Sequence, residues 1–182
     1  MRHLFGGLVL ALSACTISPS IGLENDNEDT TARTHIVLSN DNPALKAAQY
    51  LNYTEVTHRQ ELKEFIGVDP KRTEWCAAFV NAVLEESDIP SNNNHMYPLT
   101  ARAFLDWGQK IHKDNIKPGD IVIFPRGDRG WQGHVGFYLK TQTINGVDYY
   151  LILGGNQRNK VSIVPYRASR ALGIRRQIST KI

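Results

Sequence analysis

Cys76 lies in the stretch Thr73-Glu74-Trp75-Cys76-Ala77-Ala78-Phe79-Val80-Asn81. A cysteine attacks acyl carbons as the thiolate, so its surroundings decide whether it is a nucleophile or a small apolar side chain. Thr73 reads as an N-cap and Glu74 as a first-turn carboxylate, which puts Cys76 near the third helical position. Free backbone N–H groups and the positive end of the helix dipole favour a thiolate there. Trp75, Phe79 and Val83, with Val80 and Leu84 beside them, give this helix a buried face. The second group is His134, within Gly133-His134-Val135-Gly136-Phe137. An imidazole within reach of a thiol takes its proton as general base and later returns it as acid. The flanking glycines leave room for a substrate backbone to approach. Alone, this histidine reads more readily as a surface residue at a strand start.

A third group follows from hairpin register. Asn145-Gly146 is a two-residue turn signal, so Ile144 pairs with Val147 and His134 falls opposite Gln157, with Asn156 adjacent. An amide here would accept the ring N–H and orient the imidazole, as in a Cys-His-Asn arrangement. A bulge at Gly154-Gly155 would shift the parity and bring Asn156 to the histidine instead. Strict register puts Gln157, not Asn156, on the face of His134, and the bulge would reverse this, so the residues alone leave both open.

These residues need helices first and a sheet afterwards. Asn42-Pro43 opens a helix continuing to Tyr50. Thr57-x-x-Gln60 reads as a capping box for a second helix that Gly67 stops. The Cys76 helix runs to about Ser87, and a further helix is expected from Leu99 to Trp107. Strands follow at Ile121–Phe124, His134–Leu139, Tyr149–Leu153, Val161–Val164 and Ile174–Ile178. The pattern is α+β, with N-terminal helices packed on a C-terminal antiparallel β-sheet.

The N-terminus sets an address. Met1-Arg2-His3, the short apolar run Leu4–Leu12 and Leu12-Ser13-Ala14-Cys15 read as a secretion signal over residues 1–14. Small residues before a cysteine resemble a bacterial lipoprotein cleavage box. Cys15 is therefore the expected lipidation site, anchoring the protein to a membrane through fatty acyl chains. Thr16, with no aspartate after the cysteine, favours the outer membrane, facing the periplasm. Residues 15–42 read as the lipidated cysteine and a flexible polar tether, with Ile36-Val37-Leu38 a candidate short strand; the domain is 43–182. With Cys15 lipidated, Cys76 is a lone thiol in an oxidising compartment. The domain holds 19 Lys/Arg against 13 Asp/Glu, which suits anionic envelope polymers. No basic run interleaved with aromatics points to nucleic acid.

Four motifs in order then resemble one family: Trp75-Cys76-Ala77-Ala78-Phe79-Val80-Asn81, Pro118-Gly119-Asp120-Ile121-Val122-Ile123-Phe124, Trp131-Gln132-Gly133-His134-Val135-Gly136-Phe137 and Leu153-Gly154-Gly155-Asn156-Gln157. They look like the CHAP and NlpC-type cysteine peptidases and amidases of bacterial cell walls. The resemblance implies a papain-like fold, peptidoglycan as substrate, Cys76 as nucleophile, His134 as base and acid, and Asn156 as the orienting residue. It departs from many CHAP members in having Gly154 where a glutamate often precedes the asparagine. Trp131 and Gln132 are candidate substrate-binding residues. Asp120 reads as a turn former, Glu74 as helix-cap electrostatics, and Trp75 and Trp107 as core. His35, His58, His95 and His112 lack ligand spacing, so no metal or other cofactor is expected. The rival reading is a non-catalytic envelope-binding module on the same fold; a weaker one is a thiol hydrolase or acyltransferase acting on a lipid or foreign protein.

Overall fold

Asn42 caps α1 (Pro43–Ala48): its Oδ1 accepts the Ala44 N–H at 2.9 Å, and Pro43 fills the first helical position. The computed structural model describes residues 42–178 and two short strands, β1 (Ser20–Ile21) and β2 (Ile36–Val37), which pair antiparallel. Ile36-Val37 thus finds its strand partner in Ser20-Ile21. The expected signal segment, Cys15 and most of the tether lie outside the described residues. Among the described residues no helix is long and apolar enough to cross a membrane.

Helix α2 spans Arg59–Ile66 and ends on Gly67 at φ 73°, a left-handed C-cap that suits glycine. Its expected capping box does not form. The Thr57 hydroxyl lies 2.8 Å from both the Thr54 hydroxyl and the His58 ring, while Gln60 donates to Glu64 one turn on. Helix α3 (Cys76–Glu86) is buried on every side from Cys76 to Leu84, as expected of a helix enclosed by its own domain. Trp75 and Trp107 are core, as the sequence suggested. The helix expected over 99–107 is a shorter 3-10 helix, Ala101–Asp106. There Ala101 and Phe104, three apart, share the buried face that this tighter winding provides.

Six antiparallel strands form the sheet: β3 (Gln109–Lys110), β4 (Ile121–Pro125), β5 (Gly133–Ile144), β6 (Val147–Gly154), β7 (Ser162–Arg167) and β8 (Gly173–Arg176), in the spatial order β3-β8-β4-β5-β6-β7. Side chains alternate between its faces. Ile121, Ile123, Val135, Phe137, Leu139, Leu151 and Leu153 join the helices in the main core. Val122, Phe124, Tyr138, Tyr150, Ile152 and Ile174 form a second cluster. Covering both faces explains why β4 reads as an unbroken apolar run rather than an alternating one.

Candidate active site

The site forms where β6 parts from β5. The hairpin turns at Asn145 (φ 50°) and Gly146 (φ 74°), and Ile144 pairs with Val147 as expected. The register then shifts between Tyr138 and Lys140, so the bulge lies at Leu139 rather than at Gly154-Gly155. Phe137 pairs with Leu153, and pairing with β6 stops there. Gly155 turns the chain against α3. A Cβ on it would stand 2.6 Å from Trp75 and 2.7 Å from Phe79, closer than any side chain tolerates. By contrast, the space beside Gly133 and Gly136, expected to admit substrate, is occupied by Arg102 and Ala101 and by Ile152. These two glycines serve packing.

Helix α3 brings Cys76 to this gap as its first residue, with Trp75 rather than Thr73 in the N-cap position. Cys76 is 3% exposed and lines an open cleft of about 350 Å³ with Glu74, Leu99, Thr100, Arg126, Trp131 and Gln132. His134 is the second residue of β5, on the adjoining side. Its ring stacks on Tyr166 at 5.2 Å and 18°, and it lines a second hollow with Arg126, Gln157, Arg158 and Tyr166. The Val135 N–H, next along from His134, faces the Cys76 sulfur.

The amide on the imidazole is Gln157. Its Oε1 lies 3.1 Å from His134 Nε2, while its Nε2 donates to the carbonyls of Ile152 and Gly154, both at 3.3 Å, and of Ser162. Carbonyls only accept, so they fix the amide nitrogen on their side and leave Oε1 to accept from the ring. His134 must then carry its proton on Nε2. Nδ1, buried and without a hydrogen-bond partner, is the basic nitrogen. Asn156, at φ 55°, turns its side chain away and donates to Glu74 Oε2 at 2.7 Å. The bulge gives the parity that sets Asn156 opposite His134, but left-handed backbone at 156 rotates it off and presents Gln157. A Cβ on Gly154 would reach within 3.4 Å of His134 Nε2, so the absent side chain leaves the place Gln157 occupies.

Burial is the largest influence on both reactive groups. It pushes the Cys76 thiol up, against the opposing pull of the Val135 N–H, the Arg126 charge and the Ala77 N–H. His134 is held down at about 4, first by burial, then by Arg126, with the Gln157 bond opposing. The same burial raises Tyr166 to about 12. The resting pair is therefore neutral thiol and neutral imidazole, whereas helix position alone favours a thiolate. Desolvation of two groups less than 5% exposed outweighs the helix terminus.

Trp131 is 63% exposed on the cleft wall. Gln132 lines the same wall, but its Oε1 accepts the Arg129 N–H at 3.1 Å and so closes its own loop. Glu74 is not part of the helix; it meets Asn156 and, at 3.5 Å, Arg126. Asp120 lies away from the cleft, buried against Arg176. Sequence reasoning missed Arg126 and Tyr166. The antiparallel pairing Pro125↔Gly133 carries the signal for Arg126, since the residue leaving β4 must emerge beside the strand that bears the histidine.

Comparison with known proteins agrees with this architecture. A protein from Staphylococcus aureus subsp. aureus Mu50, described as similar to lipoprotein, NLP/P60 family, superposes with a TM-score of 0.50 at 18% identity, covering 77% of this chain and 41% of its own. The P60 domain of an antigen from M. avium subspecies paratuberculosis gives 0.40 at 22% identity, covering 57% of this chain and 65% of its own. The present chain therefore spans less than two thirds of either protein. The first of these likenesses is one of fold. No curated protein matches the chain. The family model for the CHAP domain matches residues 68–156, a span holding Cys76, His134, Gly154, Gly155 and Asn156. The cleft of Cys76 is built on this matched segment.

Proposed function

We propose that this chain is a bacterial envelope hydrolase cleaving an amide bond in peptidoglycan, as an endopeptidase on stem peptides or an amidase at the sugar–peptide junction. The observation that carries the reading is the unpartnered Nδ1 of His134, its tautomer fixed by Gln157, in a hollow that shares Arg126 with the cleft of a thiol at the first residue of a helix. Nδ1 takes the thiol proton as the sulfur attacks the amide carbonyl carbon. The imidazolium returns that proton to the departing amine, leaving a thioester. Water adds to the thioester with Nδ1 as base; the acid departs and the thiol is restored. Gln157 Oε1 holds the Nε2–H through both transfers, and the Cys76 N–H, free by its place in the helix, donates to the oxyanion. With both groups neutral at rest, the thiol gives up its proton only as the sulfur attacks and the carbonyl oxygen takes up the charge.

Residues 1–14 act in this proposal as a secretion signal, Cys15 as the lipid-modified residue and 16–42 as a tether from the outer membrane into the periplasm. The basic start, apolar run and Ala14-Cys15 junction support this, as does the description of the staphylococcal protein. Loss of acyl-chain labelling in Cys15→Ser tests it.

Purified peptidoglycan incubated with wild type, Cys76→Ala and His134→Ala, followed by mass analysis of soluble fragments, tests the chemistry. New amine and carboxyl termini are expected with wild type alone. Equal release by all three proteins overturns hydrolysis. No release, with all three still sedimenting with wall, favours the binding module.

A further inference from the structure

Arg126 is the cation shared by the two hollows: it lines the cleft of Cys76 and the hollow of His134. Its position follows from the fold, because β4 ends at Pro125, opposite Gly133. Its partner is Glu74, at 3.5 Å through a single Nη1–Oε2 contact, with the two side chains 43% and 79% exposed. That geometry is loose. Guanidinium binds carboxylate most strongly as a two-pronged pair, and exposed single contacts hold little. Arg126 is close enough to depress both the Cys76 and His134 pKa values, so its charge reaches the reacting atoms. Other charged or titratable groups around the hollows are Glu74, Arg158 and Tyr166.

We infer that Arg126 is a specificity residue that reads a free carboxylate on the substrate near the scissile amide, and that Glu74 occupies its guanidinium until that carboxylate displaces it. The inference rests on the hydrolase reading and names its substrate class: acidic peptides, not neutral ones. Glu74 is suited to leaving. It extends from the loop before α3, largely in solvent, and retains Asn156 as a hydrogen-bond partner when Arg126 is taken. A substrate carboxylate at Arg126 would sit at the border of the thiol's cleft and the imidazole's hollow, because Arg126 lines both.

The test uses muropeptides from digested wall, as isolated and after amidation of their free carboxylates. Wild type is expected to prefer the free acids by about 10- to 100-fold in kcat/KM, the worth of a charge-assisted pair. Arg126→Gln should abolish that preference, mainly through KM, with Arg126→Lys restoring part of it. Glu74→Gln should lower KM for the free acids, and added salt should narrow the preference. Equal use of both peptide sets by wild type overturns the inference while leaving hydrolysis standing. A loss confined to kcat and equal for both sets also overturns it, assigning Arg126 to the oxyanion. If wild type cleaves neither set, calorimetry of both sets on the whole protein decides. Tighter binding of free acids that Arg126→Gln removes supports carboxylate reading without hydrolysis; equal or absent binding overturns it.

Discussion

Strand β4 has a charged residue just outside each end, and the two are treated in opposite ways. Before it, Asp120 is 2% exposed and gripped by Arg176 through both guanidinium prongs, at 2.6 and 2.7 Å. Asp120 also accepts the Lys117 N–H at 2.8 Å, while Arg176 donates to the Asn115 carbonyl at 2.9 Å. After it, Arg126 holds Glu74 by one long, exposed contact, beside an imidazole whose Nδ1 has no partner. A buried polar group left unpaired costs about 1–3 kcal/mol, so a fold keeps one only where something else holds it in place. Here the saturated end ties β8 to the sheet, and the unsaturated end is the one that the proposed function gives to a ligand.

Breaking the unsaturated end should have the largest effect and leave the fold alone. Cys76→Ala and His134→Ala are expected to lower peptidoglycan cleavage by about 10³-fold or more, as in other nucleophile–base pairs. Chemical unfolding should show Cys76→Ala close to wild type in stability. Asp120→Ala should behave in reverse. It leaves Arg176 uncompensated and costs about 3 kcal/mol, the lower end for a broken buried pair because Arg176 is partly exposed. Its activity per folded molecule should match wild type. Lost activity in fully folded Asp120→Ala would mean that the two ends are coupled.

The buried imidazole also leaves a pH signature that the saturated end lacks. Folding lowers the His134 pKa from its ordinary 6.5 to about 4. Between those values the unfolded chain binds more protons, so stability must fall as pH drops through this window, by up to about 3 kcal/mol. His134→Asn should flatten that part of the stability curve. Activity, which needs neutral Nδ1, should persist well below pH 6.5 if substrate leaves the imidazole buried. Cys76 should alkylate more slowly at pH 7 than an exposed thiol, because its pKa is raised.

Much of this was legible in the residues themselves. Cys76, His134, the Asn145-Gly146 turn and the order of helices and strands follow from local signals. What was not legible depends on the sheet. Thr73 is a good cap by type, yet burial of Trp75 begins the helix two residues later and frees Glu74 to face Arg126. The bulge came at Leu139 because a register shift leaves no mark in side-chain type. The turn at 155–160, with Asn156, Arg158 and Asn159 all at positive φ, decides which amide meets the histidine. Asparagine tolerates that backbone, so its presence there signals the turn as readily as a role in chemistry.

That ambiguity yields the smallest and sharpest contrast within the site. Gln157→Ala removes the acceptor that fixes the Nε2–H tautomer and should lower kcat by about 10- to 100-fold. It also leaves three carbonyls without their donor, so a stability loss of about 1–3 kcal/mol should accompany it. Asn156→Ala removes a bond to an exposed carboxylate and puts alanine at φ 55°, which costs stability, but turnover of peptidoglycan per folded molecule should change less than about threefold. Since Asn156 also steadies Glu74, what change there is should appear in KM for acidic peptides, Glu74 being freer to compete for Arg126. A collapse of kcat in Asn156→Ala with Gln157→Ala near wild type would mean that the two amides exchange places when substrate binds, making the resting arrangement the unproductive one.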